Sequence, residues 1–207
     1  MLSASVPLLV CETMNSPDQA PRIALGPLLL AGLIIAAALT RLLPQPPNFS
    51  PVIAIALFAG AYFANRRWAV LVPLAAMLVS DLALAATQGG LYLQHLASPV
   101  ALSVYACILL STLLGFGLRG KVSGGRVLGG AVAGSVLFFA VTNFMVWLGT
   151  GPTSANVACQ AGLAPCYAAA IPFFHWTLLG TLFWSAVLFG GFELLRRRVP
   201  ALRAQTA

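Results

Sequence analysis

Long apolar stretches separated by short polar segments run through the chain from residue 25 to residue 195. A helix needs about 20 mainly apolar residues to cross a bilayer. The pattern therefore predicts an all-α membrane bundle of six spans, in residues 25–43, 51–65, 68–86, 99–118, 127–148 and 167–195. The second stretch is the shortest, with fifteen residues. Five spans is the alternative, if the second and third stretches form a re-entrant pair.

Basic residues divide unevenly between the two sides that six spans define. With the N-terminus inside, ten basic residues lie in the inner segments, and Arg41 is the only one in the outer segments. Cytoplasmic loops carry an excess of Lys and Arg, and this bias sets the orientation of membrane proteins. The charges therefore predict a multi-pass protein of the bacterial inner membrane with both termini in the cytoplasm.

The composition excludes several other classes of protein. Hydrophobic residues make up 60% of the 207 residues and charged residues 7%, and the mean hydropathy is +0.94. A soluble domain carries roughly 25% charged residues, so a soluble enzyme, a disordered chain and a coiled coil are excluded. The net charge of +7 is better explained by topology signals than by binding to nucleic acid. The lipid bilayer is the predicted partner.

The same pattern divides the chain into three regions. We expect a flexible cytoplasmic N-terminal tail in residues 1–23, a six-helix transmembrane domain in 24–195 and a basic cytoplasmic C-terminal tail in 196–207. No basic segment precedes the weakly apolar residues 5–11, which disfavours a signal peptide. Translation begins either at Met1 or at Met14.

Small residues recur four positions apart in three of the spans, a spacing that lets membrane helices approach closely. The pairs are Gly32 and Ala36, Ala56 and Gly60, and Gly130 and Gly134. Packing inside this one bundle is the favoured interpretation. The alternative is a docking face for another membrane subunit, for which the first span is the natural place.

Two of the four cysteines, Cys159 and Cys166, lie in the predicted outer loop before the last span. In an oxidising periplasm they would form a disulfide, and otherwise they are free thiols; the sequence favours neither. The cysteines and histidines do not show the spacing of a zinc site. No metal or cofactor is predicted.

Catalytic motifs are absent from the sequence. The chain has no glycine-rich phosphate loop followed by lysine, no GxSxG and no HExxH. Asp81 and Glu193 are expected near opposite faces of the membrane, too far apart to act together. Glu193 precedes Arg196 and Arg197 by three and four residues, which indicates a local helix pair. We therefore expect no enzyme activity.

Asp81 is the strongest candidate for a functional residue. Placing an ionisable side chain inside a membrane costs at least about 2.5–3.5 kcal/mol on insertion scales, so such a residue has a function or a partner. Arg41 ends the first span on the same predicted side. The two residues form either a structural salt bridge or a charged wall of a ligand pocket open to the outside.

Three more polar residues lie in the same predicted half of the membrane. Asn48 belongs to residues 44–51, where four prolines make either a rigid loop or the rim of a pocket. Asn143 either hydrogen-bonds a neighbouring helix or faces a ligand. His175 is more often a structural group at such a position than a metal ligand or proton relay.

These polar residues come from separate segments, and the topology places all of them in the outer half: Arg41, Asn48, Asp81, Asn143 and His175. The inner half has charges only at helix ends. Convergent polar groups in an otherwise apolar bundle are typical of a small-molecule site. They predict a substrate-binding pocket that opens outward and is closed inward.

The segments around these residues resemble a family of uncharacterised bacterial six-span proteins, classed as transport proteins with a domain of unknown function. The most specific are the Pro-Pro-Asn-Phe segment at 46–49 and the Ser-Asp pair at 80–81. The similar segments are residues 41–51, 54–61, 73–81, 142–147, 171–174 and 188–190. The family has Gly-Asp in the last span, where this chain has Gly180-Thr181.

That family is similar in size and topology to the substrate-capture subunits of energy-coupling-factor vitamin transporters. The resemblance implies uptake of a vitamin-sized solute, which is related to cobalamin for some relatives and would make His175 a candidate cobalt ligand. It also implies an energising membrane subunit and an ATPase as partners. The alternative is a structural or assembly subunit of the membrane, without a ligand, whose polar residues only hold its helices together.

Overall fold

The computed structural model describes residues 25–152, 154 and 156–207, and every regular element among them is helical. The predicted N-terminal tail lies outside the described residues. The helices are α1 (Leu25–Leu39), α2 (Val52–Tyr62), α3 (Arg66–Gln88), α4 (Gly90–Leu96), α5 (Pro99–Phe116), α6 (Gly124–Leu148), α7 (Val157–Gln160), α8 (Leu163–Ser185), α9 (Gly191–Arg198) and α10 (Pro200–Gln205). A 3₁₀ turn, Thr40–Leu42, extends α1, and a π-helical turn, Ala186–Gly190, joins α8 to α9.

Five helical stretches are long and apolar enough to cross a membrane: α1 with its 3₁₀ turn, α3, α5, α6, and the continuous stretch from α8 to α9. The predicted second span, α2, has only 11 residues. It is therefore about 16 Å long, roughly half of the ~30 Å hydrocarbon core of a bilayer. The chain is a multi-pass helical membrane protein with five candidate spanning helices, so the six-span prediction is met only in part.

The short helix α2 lies at the centre of the bundle, and all 11 of its residues are buried. Phe58 and Tyr62 pack against Phe189 and Phe192, with ring centroids 4.7–5.6 Å apart. A helix that is apolar all round is one buried on every side. This environment explains why the sequence of α2 has no polar face.

Helices α2 and α5 approach each other through glycines. A Cβ atom at Gly60 would overlap the carbonyl oxygen of Thr112, and one at Gly115 would overlap the carbonyl oxygen of Leu57. The small residues of α2 therefore serve packing inside the bundle, as predicted. Among the described residues, by contrast, none outside α1 comes within 4 Å of the position of a Cβ at Gly32.

Charge distinguishes the two ends of the bundle. One end, which we call the basic end, carries nine of the eleven basic residues: Arg66, Arg67, Arg119, Lys121, Arg126, Arg196, Arg197, Arg198 and Arg203. At this end, the guanidinium of Arg119 donates to the carbonyl oxygens of Gly60 at 2.8 Å and Phe63 at 2.7 Å, which caps the C-terminus of α2. At the opposite end, Arg41 is the single basic residue in the described part of the chain.

Short segments close both ends of the bundle. At the basic end, the Gln205 side chain accepts a hydrogen bond from the Gly26 amide at 2.6 Å, and the Ala207 amide donates to the Tyr62 carbonyl at 2.9 Å. The predicted C-terminal tail thus includes a helix that packs on the bundle. At the opposite end, α7 is tied to α8 by the Cys159–Cys166 disulfide, the first of the two alternatives that the sequence left open.

Candidate functional site

Asp81 and Arg41 form an ion pair near the end of the bundle that lies opposite the basic end. Asp81 lies seven residues before the end of α3, about 10 Å along the helix from Gln88. Its side chain is 5% exposed, and its Oδ1 accepts a hydrogen bond from Nη1 of Arg41 at 2.6 Å. Arg41 reaches it from the 3₁₀ turn after α1. The predicted pairing is therefore confirmed, and each charge offsets the desolvation of the other.

Two tyrosines complete the hydrogen bonds of this carboxylate. The hydroxyl of Tyr92, on α4, donates to Oδ1 at 2.9 Å, and that of Tyr105, on α5, donates to Oδ2 at 2.7 Å. Arg41 also donates to the hydroxyl of Ser80 at 2.5 Å. Burial raises the pKa of Tyr92 above its ordinary value of 10.0, which keeps its hydroxyl protonated. These four residues and Asp81 form the Asp81 cluster.

A cavity of about 480 Å³ lies beside the Asp81 cluster. Its wall includes Arg41, Tyr92 and Thr177 of α8, and its floor includes the first turn of α2. Asp81 is not among the lining residues, but its Oδ1 accepts hydrogen bonds from two that are, Arg41 and Tyr92. Asp81 therefore positions two residues of the wall and does not line it.

The proline-rich segment, residues 44–51, forms one side of this cavity, from Gln45 to Ser50. Asn48 has a φ of 66°, in the left-handed region that a short polar side chain tolerates. The segment crosses α8 at Gly180, where a Cβ atom would lie 2.8 Å from the Ser50 amide nitrogen and 3.0 Å from the Phe49 Cα. The segment is therefore the rim of a cavity, the second of its two interpretations.

A second cavity, of about 310 Å³, adjoins the first, and the two share four lining residues: Asn48, Val104, Phe138 and Thr177. Asn143 of α6 lines this second cavity, and its Nδ2 donates to the Phe139 carbonyl at 2.8 Å. That bond is within one helix turn, so Asn143 does not connect two helices. Its Oδ1 and the hydroxyl of Thr177 make no hydrogen bond with the described residues and are available to a ligand.

His175 lies away from both cavities. Its side chain is exposed, its ring lies 4.7 Å from that of Trp176 between centroids, and it lines neither cavity. Residues two positions apart on an α-helix point about 200° apart. Because Thr177 faces the cavities and is 7% exposed, His175 points outward.

Three of the five predicted site residues thus line the cavities, namely Arg41, Asn48 and Asn143, whereas Asp81 and His175 line neither cavity. Tyr105 was missed in the sequence analysis. The signal was present, because a tyrosine within an apolar membrane helix needs an acceptor for its hydroxyl.

The polar lining residues offer hydrogen bonds and one guanidinium charge, a set that can orient a small molecule. They are Arg41, Gln45, Asn48, Ser50, Gln88, Tyr92, Thr142, Asn143 and Thr177. No group of three or more His, Cys, Asp or Glu that could hold a metal ion occurs among the described residues.

No curated protein and no solved structure matches the chain. A family model described as a family of unknown function, DUF6580, matches residues 22–202. The match includes both cavities and every residue of the Asp81 cluster. The chain therefore belongs to the DUF6580 family.

Proposed function

We propose that the chain captures a vitamin-sized solute in the two adjoining cavities beside the Asp81 cluster, at the end of the bundle opposite the basic end. The observation that carries the proposal is the convergence of polar groups from separate elements on a space of about 480 Å³. Ligand pockets typically enclose about 300–1,000 Å³ and combine apolar walls with a few placed polar groups. This cavity has such walls, since Val52, Leu84 and Phe138 also line it.

The packing of α2 favours binding from one side over free passage through the bundle. Val52 and Ile53 close the bottom of the cavity. Below them, the rest of α2 is buried and its aromatic residues are packed against the last helical stretch. A solute that enters at the opposite end would therefore stop at α2.

We infer that the basic end faces the cytoplasm of a bacterial cell and that the cavities open toward the periplasm across its inner membrane. The excess of basic residues at one end supports this orientation. In our proposal the sixth crossing consists of the proline-rich segment followed by α2. Non-helical backbone is tolerated at membrane depth where protein buries it or where it lines a cavity, and residues 45–50 line one.

Capture alone does not move a solute across a membrane, so the proposal includes partners. The chain has no phosphate-binding loop, and we expect an energising membrane subunit and an ATPase to supply the work. We also expect binding without catalysis. His175 lies outside both cavities, so it offers no ligand there to the metal of a cobalamin-related solute.

A structural or assembly subunit is the second candidate function, and one observation favours it. Both carboxylate oxygens of Asp81 are satisfied by Arg41, Tyr92 and Tyr105, without any ligand. Such a cluster joins the end of α1 to α3, α4 and α5, which is what a purely structural lock requires.

The test is the thermal stability of the purified protein in detergent against a library of vitamins and cofactors that includes cobalamins. A solute that binds only the folded protein raises its melting temperature with concentration. We expect Thr177→Val to weaken a hit about fivefold, the effect of one hydrogen bond of about 1 kcal/mol. Thr181→Val is the matched control, because Thr181 lies one turn later, is buried, and lines neither cavity.

Two results would contradict capture in these cavities. A hit that weakens equally in both variants binds elsewhere on the protein. A well-folded sample that responds to no solute favours the structural subunit, and isolation of its membrane partners would then identify the assembly.

A further inference from the structure

A separate cavity of about 560 Å³ lies at the basic end, between the start of α6 and the π-helical turn after α8. It shares no lining residue with the two cavities near the opposite end. Its inner wall is apolar and includes Val127, Leu182 and Phe189, whereas its mouth includes Ser123 and Arg197. The cavity therefore combines a hydrocarbon-like interior with a polar opening at the level of a membrane surface.

The wall of this cavity contains a buried hydroxyl without a partner. Ser185 is 2% exposed, and its Oγ makes no hydrogen bond with the described residues. A serine within a helix commonly bonds the carbonyl one turn earlier. Ser185 does not, and the π-helical turn, a feature frequent at functional sites, begins at the next residue. Because buried polar groups are normally satisfied, the unpaired Oγ in this wall is free to donate to an acceptor on a ligand in the cavity.

The mouth of the cavity favours an anion. Helix α6 has 25 residues, and its N-cap Ser123 makes no side-chain hydrogen bond to the helix. The first amides of a helix lack partners within it and carry a positive partial charge. Arg197 adds a full positive charge, and the ion pairs of the described residues do not include it.

Glu193 also lines this cavity, but the protein itself compensates its charge. Its Oε1 accepts hydrogen bonds from the Tyr62 hydroxyl at 2.6 Å and from Nη1 of Arg196 at 3.0 Å. The carboxylate therefore leaves Arg197 and the start of α6 free to attract an anionic group.

We propose that this cavity binds one anionic phospholipid of the membrane. The phosphate lies between Arg197 and the first amides of α6, one of the two acyl chains lies along the apolar wall, and Ser185 donates to an ester oxygen. A free phosphate would leave the apolar wall unused. A zwitterionic lipid such as phosphatidylcholine carries the same phosphate, but its choline cation would be repelled by Arg197 and by the positive end of α6. Basic residues at a membrane surface attract anionic lipids, and the basic end supplies such a surface.

Native mass spectrometry of the full chain in detergent, titrated with phosphatidylglycerol or phosphatidylcholine, tests this site. We expect one phosphatidylglycerol to remain bound at concentrations where phosphatidylcholine has dissociated. Arg197→Gln should weaken phosphatidylglycerol about fivefold, the effect of about one basic residue near a charged surface. Arg198→Gln is the matched control, because it removes the same charge one residue away and Arg198 does not line the cavity.

Ser185→Ala provides a second variant that should fold, since it removes only a hydroxyl without a partner. We expect it to weaken phosphatidylglycerol a few-fold. Equal retention of the two lipids, or equal effects of Arg197→Gln and Arg198→Gln, would overturn the proposal. Inorganic phosphate that displaces the lipid at similar concentration would also overturn it, because the apolar wall would then contribute nothing.

Discussion

The described part of the chain has two carboxylates, Asp81 near one end of the bundle and Glu193 near the other. Each accepts hydrogen bonds from an arginine and from tyrosine, but the surroundings of the two carboxylates differ. The Asp81 side chain is 5% exposed, and its arginine and tyrosines come from other elements. The Glu193 side chain is 37% exposed, and Arg196 lies only three residues later in the same helix. Tyr62 is the one distant partner of Glu193. The first cluster depends on the tertiary fold, whereas the ion pair of the second depends on local helix geometry.

The difference shows how burial changes the role of one kind of interaction. Removing one member of a buried ion pair leaves the other charge uncompensated. In the Glu193–Arg196 pair the carboxylate is the more exposed member, so water and salt already screen its attraction to Arg196. The same replacement of a carboxylate by an amide should therefore have unequal effects at the two ends.

Asp81→Asn should give the largest effect. We expect the free energy of unfolding to fall by about 3–5 kcal/mol, because both members of this pair are largely buried, and the change also weakens the hydrogen bonds from Tyr92 and Tyr105. Equilibrium unfolding in mixed micelles of dodecyl maltoside and sodium dodecyl sulfate measures this change.

The double variant Arg41→Gln/Asp81→Asn is the control for this effect. If the uncompensated charge is the cause, the two losses will not add, because removing both charges relieves the penalty. Strictly additive losses would mean that the two residues act independently, and the comparison between the clusters would fail.

Tyr105→Phe should give the next largest effect, because Tyr105 donates to Oδ2 of Asp81. A hydrogen bond to a charged group contributes about 1.5–3 kcal/mol, and phenylalanine keeps the ring. Tyr167→Phe is the matched control, since the Tyr167 hydroxyl donates to the uncharged carbonyl of Ala140. Equal losses of stability in the two variants would show that the carboxylate adds nothing to the first bond.

Gly180→Ala should destabilise the cavity rim beside the Asp81 cluster by about 1–3 kcal/mol, the usual effect of overpacking. The added methyl would meet the backbone of Phe49 and Ser50, which cannot rotate away as a side chain can. Gly191→Ala, on the same helical stretch, should not destabilise, because no other described part of the chain comes within 4 Å of the new methyl. The same unfolding measurement tests this prediction. If Gly180→Ala is as stable as Gly191→Ala, the backbone of the rim moves to make room for the methyl group.

Gly180 also illustrates which parts of the molecule the sequence could predict. The long apolar stretches predicted the spanning helices because a bilayer leaves few alternatives. The Arg41–Asp81 pair was predictable because topology placed two opposite charges in the same half of the membrane. The contact between Gly180 and the proline-rich segment was not, because nothing local distinguishes this glycine from one facing lipid, such as Gly32.

The sequence was least informative about the direction of side chains and about α2. The direction of His175 was marked only by small polar residues of the same helix, Thr177, Thr181 and Ser185, which recur every four residues and form the buried face of α8. The depth of His175 in the membrane was predicted, but this stripe was not used to orient its side chain. The second apolar stretch matched a short span in composition. Its helix begins at Val52, one residue after the predicted start, but ends at Tyr62, three residues before the predicted end, because Phe63 is extended and Asn65 caps α3.

Glu193→Gln should have the smallest effect, no more than about 1 kcal/mol. Glutamine keeps an oxygen that accepts from the Tyr62 hydroxyl, and the lost attraction to Arg196 is already screened at a carboxylate that is 37% exposed. Arg196 is itself 18% exposed, but its guanidinium still lies over the Tyr62 ring, 5.3 Å from the centroid. Raising the salt concentration from 50 to about 500 mM should shrink the difference between this variant and the wild type, because the Debye length falls well below 10 Å. The stability difference between Asp81→Asn and the wild type should barely change with salt.

If Glu193→Gln instead matched Asp81→Asn in size and in salt response, burial would not be the cause of the difference between the two clusters. Tyr62 both anchors α2 and donates to Glu193, so it would be the residue to replace next.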